Sequence, residues 1–190
     1  NGRKHRIQQL LAELQYVNGY KTLTLLDTQG NVRATANGDY GLGAEELRLA
    51  AQAMDSRVAV FSDIHRNSYG DKGVSIDLAV PLTIPGNKTD RIVGAAVLQI
   101  DPGTFLYPHI QSWPTHISSA ETLLVRREGN DVVFLNELRH NNKPPLSLRI
   151  PLTSLNLPAA MGIRGETSAI DGLDYRGIPV VAAMRAVPGT

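Results

Sequence analysis

The residues best placed to do chemistry are an aspartate in an alternating run and the ionisable side chains of the polar loop before it. The alternation puts Ser75, Asp77 and Ala79 on one face of a predicted strand. That face is expected to be enclosed, and a buried carboxylate needs a partner that donates a hydrogen bond or carries a positive charge. His65 or Arg66 could supply it. The set indicates either a ligand site or a structural ion pair, and the ion pair is the commoner explanation.

The sequence carries none of the common enzymatic motifs. Its five histidines, at positions 5, 65, 109, 116 and 140, never have the i, i+4 spacing of zinc proteases. There is no Gly-x-Ser-x-Gly elbow, and the glycine-rich run at 38–43 lacks the lysine of a phosphate-binding loop. We therefore expect this part of the protein to have no catalytic residues, no metal site and no cofactor.

Composition narrows the class of protein further. The chain has 190 residues, with 19 basic and 18 acidic side chains and a net charge of +1, so it has no field that would attract nucleic acid. It has no cysteine, which excludes disulfides and thiolate chemistry. No run approaches the roughly 20 apolar residues that cross a bilayer.

The chain carries the same succession of patterns twice. Residues 22–35 and 122–136 each contain an apolar run, a Gly-Asn turn and a second β-rich run. Residues 74–97 and 168–184 each contain a short Ile-Asp strand, a polar turn and a strand rich in small apolar residues. These patterns predict an α+β fold of two tandem modules, each an antiparallel sheet with flanking helices.

The elements of the first module can be placed in detail. We predict strands at 20–26, 32–36, 58–61, 74–82 and 91–100, with a hairpin turn at 85–87. A helix is predicted at 44–54, with Leu47, Ala50, Ala51 and Met54 as its buried face. Glu45 and Glu46 in its first turn suit the positive end of the helix dipole. Five strands with a helix across one face is a PAS-like arrangement.

Both ends of the chain indicate a piece of a longer protein. A helix is predicted over residues 1–19, with no cap in front of it, as in a helix that continues from an upstream segment. Its apolar stripe contains Ile7, Leu10, Leu14 and Val17, together with Leu11, and suggests a dimer in which the helix packs against its twin. At 187–190 a turn follows an apolar strand, so one more strand is expected.

Several of these segments resemble a known family of bacterial receptors. The runs ETLLVRREGNDVVFLNELRH (121–140), PLSLRIPL (145–152) and GLDYRGIPVVAAMRAVPG (172–189) resemble the second extracytoplasmic module of double-PDC sensors, which are also called dCache-type. The run FSDIHRNSYGDKGVSIDLAVPL (61–82) is similar, more loosely, to the leading module. The resemblance implies a signalling helix at 1–19, a membrane-distal module at 20–106, a linker at 107–119 and a membrane-proximal module at 120–190.

The resemblance also implies a function and a site. Such domains lie in the periplasm, between two membrane spans, and precede a histidine kinase, diguanylate cyclase or chemoreceptor output. A small organic ligand would lie against the sheet of the distal module, beneath the loop after its third strand. Carried onto this sequence, the ligand-binding residues would be Ser62, Asp63, His65, Arg66, Ser75, Asp77 and Gln99. The amino-acid motif of the family is absent, because Trp113 is followed by proline.

Three functions fit these observations. In the first, which we expect, the chain is a periplasmic sensory domain with flanking membrane spans outside it. Alternatively, it is a dimerising spacer of the same kind of receptor, without a small ligand. A third class, a soluble PAS-like regulator or small hydrolase, is disfavoured because the sequence lacks a catalytic constellation.

Overall fold

The structure, a computed structural model, describes residues 2–36, 41–67, 73–86, 89–112 and 119–187. It is an α+β protein with antiparallel sheets, and the described residues contain four helices. The chain divides into two compact units, 1–105 and 106–190. Several features singled out in the sequence lie wholly or partly outside the described residues: part of the predicted polar loop, the turn residue Asn87, Trp113, His116, the start of the glycine-rich run and most of the turn at 187–190.

The described residues of the first unit form one antiparallel sheet and two helices. The strand order is β2-β1-β6-β5-β3, and β4 pairs with β5 beside β3. In chain order the elements are α1 (Gly2–Asn18), β1 (Thr22–Asp27), β2 (Val32–Thr35), α2 (Ala44–Ser56), β3 (Val60–Phe61), β4 (His65–Arg66), β5 (Val74–Ile84) and β6 (Arg91–Ile100). The five predicted strands are therefore present, and β4 is an additional short strand within the predicted polar loop.

Asp27 holds the turn between β1 and β2. Its carboxylate accepts hydrogen bonds from the backbone N–H groups of Gln29 and Asn31, both at 2.9 Å. Gly30 has a φ of +82°, a conformation that glycine adopts without a Cβ penalty. Arg33 adds an ion pair to the same carboxylate at 2.6 Å. The turn is therefore fixed by side-chain hydrogen bonds to the backbone, as in other aspartate turns.

The Asp27 turn predicts a pH dependence of stability. Hydrogen bonds from Asn31 lower the pKa of Asp27 from 3.8 to about 2. Because the folded-state pKa is lowered, its stabilisation is present above pH 3.8 and is lost as the pH falls through about 2. We expect the free energy of unfolding to fall less steeply with acidification in Asp27→Ala than in the wild type. Urea unfolding at several pH values between about 2 and 3.8 measures this change in the free energy of unfolding. The control is Asp90→Ala, at an exposed aspartate, in which the free energy of unfolding should change with pH as in the wild type.

Helix α2 packs on one face of the sheet. The core beneath it contains Leu26, Leu49, Ala50, Ala53, Ala79, Ala95 and Val97. The buried side of the helix consists of Glu46, Leu49, Ala50 and Ala53, whereas Leu47 is exposed. The predicted face of Leu47, Ala50, Ala51 and Met54 is therefore wrong by about one residue in phase. Leucine and alanine occur on both sides of this helix, so the apolar pattern alone allowed either phase.

Helix α1 packs on the opposite face of the sheet through one leucine. Leu11 is buried with Leu23, Ala34 and Ala96. The rest of the stripe, Ile7, Leu10, Leu14 and Val17, is exposed in the single chain. Within the described residues, no helix has both the length and the apolar character required to span a membrane.

In the described part of the second unit the strands form two separate sheets. β7, β8 and β9 form one, and among these strands β10 pairs only with β11. Its elements are α3 (Leu106–Gln111), β7 (Val125–Glu128), β8 (Asp131–Phe134), β9 (Arg149–Pro151), α4 (Pro158–Ile163), β10 (Ala169–Leu173) and β11 (Pro179–Ala183). This division differs from the single sheet expected for each module. The short β9 and the half-exposed β10 and β11 leave little continuous strand surface to join the two sheets.

Helix α3, which falls in the predicted linker, belongs to the second unit. Tyr107 is buried, and its hydroxyl donates a hydrogen bond to the carbonyl of Leu135 at 2.6 Å. The core of this unit is built around Val132, Phe134, Leu138, Leu157 and Ala160.

Candidate ligand-binding site

A row of polar side chains crosses the sheet of the first unit on the face that α2 covers. Thr22 of β1 is paired with Gln99 of β6, and Gln99 with Asp77 of β5. All three residues are buried. Ser62, just after β3, continues the row, because its hydroxyl accepts a hydrogen bond from the Asp77 backbone N–H at 2.8 Å. Strand pairing thus gathers four polar residues from distant parts of the sequence.

Glu46 of helix α2 completes the row from above. The phase of the helix turns this residue toward the sheet, and its side chain is only 2% exposed. The amide of Gln99 donates a hydrogen bond to Glu46 Oε1 at 3.2 Å. A buried carboxylate in the first turn of α2 therefore lies directly over the polar row.

His65 of β4 closes the cluster from the side. Its Nε2 lies 3.2 Å from Asp77 Oδ2 and 4.0 Å from Glu46 Oε1. Its Nδ1 lies 3.1 Å from the carbonyl oxygen of Asp63. A carbonyl only accepts hydrogen bonds, so Nδ1 carries a proton and Nε2 is the nitrogen that faces the carboxylates. We call Glu46, His65, Asp77 and Gln99 the polar cluster.

The charges in the polar cluster act on one another strongly. The Asp77 carboxylate, followed by Glu46, raises the pKa of His65 to about 10. The imidazole in turn lowers the pKa of Glu46. Burial raises the pKa of Asp77, because the fold removes this carboxylate from water. Two carboxylates therefore share a single imidazole in a nearly closed environment.

The polar cluster and Thr22 hold buried polar atoms without hydrogen bonds. Asp77 has two such oxygens although its side chain is fully buried. His65 Nε2 lies within ion-pair distance of Asp77 but does not meet the geometry of a hydrogen bond. The full set is Thr22 Oγ1, Glu46 Oε2, His65 Nε2, Asp77 Oδ1, Asp77 Oδ2 and Gln99 Oε1. Most buried polar groups in folded proteins are paired, so this concentration requires an explanation.

The residues proposed from the sequence divide into two groups. The structure brings Ser62, His65, Asp77 and Gln99 together. Ser75 is buried on the same strand, and its hydroxyl donates to the Asn67 side chain. Asp63 and Arg66 are exposed. Since Arg66 directly follows His65 in β4, its side chain points to the other side of the strand.

Sequence reasoning missed Glu46 and Thr22 as members of this site. The helix dipole already explained an acidic residue at position 46, in the first turn of α2. The predicted buried face, wrong in phase, also placed Glu46 away from the sheet. Thr22 begins an apolar strand, where threonine is common because of its β-branched side chain. The strand alternation Thr22, Thr24, Leu26 could have placed it on the α2 face.

The second unit holds a small apolar cavity. Its volume is about 60 Å³, and it is lined by Leu123, Phe134, Leu157, Pro158, Ala159, Asp174, Tyr175, Val180 and Ala182. Sites for small molecules usually measure roughly 300–1,000 Å³. This cavity is too small for such a ligand, so the polar cluster is the stronger candidate.

Comparison with known proteins adds no assignment. No protein-family model matches this chain, and no curated protein matches it.

Proposed function

We propose that the chain is a periplasmic ligand-sensing domain of a transmembrane signal-transduction protein of the histidine kinase or diguanylate cyclase type. The observation that carries the proposal is the set of unpaired buried atoms in the polar cluster. Each such atom costs about 1–3 kcal/mol unless something binds it. Buried polar atoms that destabilise the free protein, and that a ligand could hydrogen-bond or coordinate, are typical of a binding site.

The architecture of the first unit supports the same proposal. Its strands follow the order β2-β1-β6-β5-β3, with α2 across one face. An antiparallel sheet with a helix across one face is what the resemblance leads us to expect of the membrane-distal module. The polar cluster lies against the sheet, and His65 and Ser62 belong to the segment after β3, beneath which the resemblance places the ligand.

The packing offers a route from the polar cluster to α1. Thr22 and Leu23 are neighbours in β1, so one faces the cluster and the other contacts α1 through Leu11. The end of α1 is tied to the same strands, because the Gln15 side chain donates to the Lys21 carbonyl at 2.7 Å and the Lys21 N–H donates to the Gln99 carbonyl at 2.8 Å. A ligand that shifts β1 or β6 would therefore move α1, which the proposal assigns to signalling.

A thermal-shift screen tests the sensing proposal. We expect one chemical class among metal ions, amines, organic acids, amino acids and sugars to raise the melting temperature saturably. A ligand at 100 times its Kd adds about 2.7 kcal/mol to the free energy of unfolding. The rise should disappear in Asp77→Asn and persist in Asp55→Asn, an exposed aspartate of α2. Silence for every class, or a rise that survives Asp77→Asn, would contradict a ligand site in the polar cluster.

A second function, a dimerising spacer, is favoured by the exposed stripe of α1. Ile7, Leu10, Leu14 and Val17 are between 42% and 79% exposed, and they lie on one side of the helix. Four large apolar side chains in water are typical of a surface that a partner covers. The repeat of the stripe along a single helix fits a second copy of the same helix.

Sedimentation of the chain tests this dimer. We expect a reversible dimer whose Kd weakens at least about tenfold in Leu10→Glu/Leu14→Glu, because two charges would enter an apolar interface. The matched control is Glu13→Gln, an exposed position between them that should leave the Kd within about twofold. A monomer at all concentrations, or an unchanged Kd in the double variant, would rule out dimerisation through α1.

A further inference from the structure

The polar cluster has the composition of a transition-metal site. Glu46, His65 and Asp77 each offer one ligand atom, and these atoms all lie within 4.8 Å of one another. They come from three separate elements, α2, β4 and β5, so the sheet and the helix hold the arrangement. In the described part of the chain this is the one group of three acidic or histidine side chains with such geometry.

The distances fit an ion with little movement. Ligands about 2.1 Å from a tetrahedral ion lie roughly 3.4 Å apart. His65 Nε2 and Asp77 Oδ2 are 3.2 Å apart, and His65 Nε2 and Glu46 Oε1 are 4.0 Å apart. The third side, between the ligand oxygens of Glu46 and Asp77, is within 4.8 Å. His65 Nε2 and Asp77 Oδ2, which now lack hydrogen bonds, would both gain the ion as a partner.

Groups outside the ligand set orient the ligands. His65 Nδ1 faces the Asp63 carbonyl at 3.1 Å, which turns Nε2 toward the carboxylates. Histidines that bind metals usually have this second contact, to a carbonyl or a carboxylate. Gln99 donates to Glu46 Oε1 at 3.2 Å and holds that carboxylate over the sheet. Both contacts are present without a metal, so the site is organised in advance.

The side chains of the polar cluster indicate which chemical class of molecule or ion can bind there. Two carboxylates face a single imidazole, so the cluster has no excess of positive charge. This opposes the binding of an organic acid. An imidazole favours zinc, copper, nickel or iron over magnesium and calcium, which prefer oxygen ligands alone. The absence of cysteine from the chain leaves nitrogen and oxygen as the strong ligand atoms.

We propose that Glu46, His65 and Asp77 bind a first-row divalent transition metal ion, with Gln99 as a positioning residue. The ion is the ligand of the proposed sensor site, so the inference rests on the proposed function and names its ligand class. It replaces the organic ligand that the family resemblance suggested. No local motif contains all three ligands, because they are separated along the chain by 18 and 11 other residues.

Calorimetric titration of the whole chain with zinc chloride tests the proposal, with magnesium chloride as the comparison. We expect one zinc ion per chain and a rise in melting temperature, and no saturable response to magnesium at the same concentration. His65→Ala and Asp77→Asn should weaken zinc binding at least about 100-fold, and Gln99→Leu about 10-fold to 100-fold. Exposed matched controls, His140→Ala and Asp55→Asn, should bind as the wild type does.

Cobalt substitution separates ligand loss from misfolding. In the wild type, bound Co²⁺ should give a visible absorption band. In Glu46→Gln this band should be altered or absent, while an unchanged circular dichroism spectrum shows that the variant is folded. Zinc binding that persists in both His65→Ala and Asp77→Asn would overturn the proposal. If the wild type does not bind zinc but an amine stabilises it, and Asp77→Asn abolishes this effect, the metal proposal is wrong and the sensing proposal still holds. If neither metals nor any organic class binds, the metal proposal and the sensing proposal are both wrong.

Discussion

Replacement of Gly94 with alanine is expected to lower the free energy of unfolding of the first unit by about 3 kcal/mol, the upper part of the range for overpacking. Gly94 lies in β6 between Asp27 of β1 and Leu82 of β5. A Cβ at this position would lie 1.9 Å from the carbonyl oxygen of Leu26 and 3.3 Å from the Asp27 Cα. Both neighbours are backbone atoms, so no side chain can rotate away to make room.

The position of Gly94 explains why glycine is required there. The β5–β6 register shifts between Leu82 and Thr83, so that Val93 is an extra residue beside Gly94. Such a bulge increases the local twist and brings the neighbouring backbone close. Urea unfolding measures the effect, and Gly2→Ala is the control because nothing lies within 4 Å of a Cβ there. A Gly94→Ala protein as stable as the wild type would show that β1 and β6 are farther apart than the structure places them.

Removal of the His65 side chain is expected to cost about 3 kcal/mol of stability at pH 7, near the lower end of the range for a broken buried ion pair. His65→Ala leaves Glu46 and Asp77, whose side chains are 2% and 0% exposed, without the imidazole between them. The two carboxylates then repel each other in a poorly solvated environment. The cost stays at the lower end because the His65 side chain is 18% exposed and water replaces part of its interaction.

A second substitution should restore stability if repulsion is the cause. Glu46→Gln in the His65→Ala background removes one charge, so the double variant should be more stable than His65→Ala alone. A double-mutant cycle by urea unfolding gives the coupling between the two residues. His140→Ala, at an exposed histidine of the second unit, should change stability by less than about 0.5 kcal/mol. A rescue that fails, with a normal circular dichroism spectrum, would show that His65 acts through packing.

The strands of the first unit were predictable because two local signals agreed. Alternation placed Asp77 on an enclosed face, and the structure buries it. The turn at 27–31 begins with aspartate, a residue that hydrogen-bonds the nearby backbone, and in the structure Asp27 accepts hydrogen bonds from the Gln29 and Asn31 N–H groups. In the second unit the separate pairing of β10 with β11 could not be predicted, because strand pairing between distant segments depends on the packing of the whole unit.

The polar cluster was predictable only in part. Asp77 and His65 were named from the residue pattern, and Gln99 from the family resemblance. Glu46 was missed because the apolar residues of α2 are compatible with two helix phases. The choice between His65 and Arg66 depended on β4, a two-residue strand hidden in a polar loop. Once β4 pairs with β5, alternation lets only one of two consecutive residues face Asp77. Tertiary pairing, which a single sequence does not display, determines the membership of the cluster.

The most direct test of a ligand site in the polar cluster is a proton–nitrogen correlation spectrum of the histidine side chains, recorded with and without zinc chloride. We predict that the Nε2 resonance of His65 moves on binding while its Nδ1 remains protonated, since Nδ1 faces the Asp63 carbonyl. The resonances of the exposed His5 and His140 should stay in place. A His65 signal that is unchanged at saturating zinc, and unchanged with every organic class of the screen, would contradict the assignment of this cluster as the ligand site.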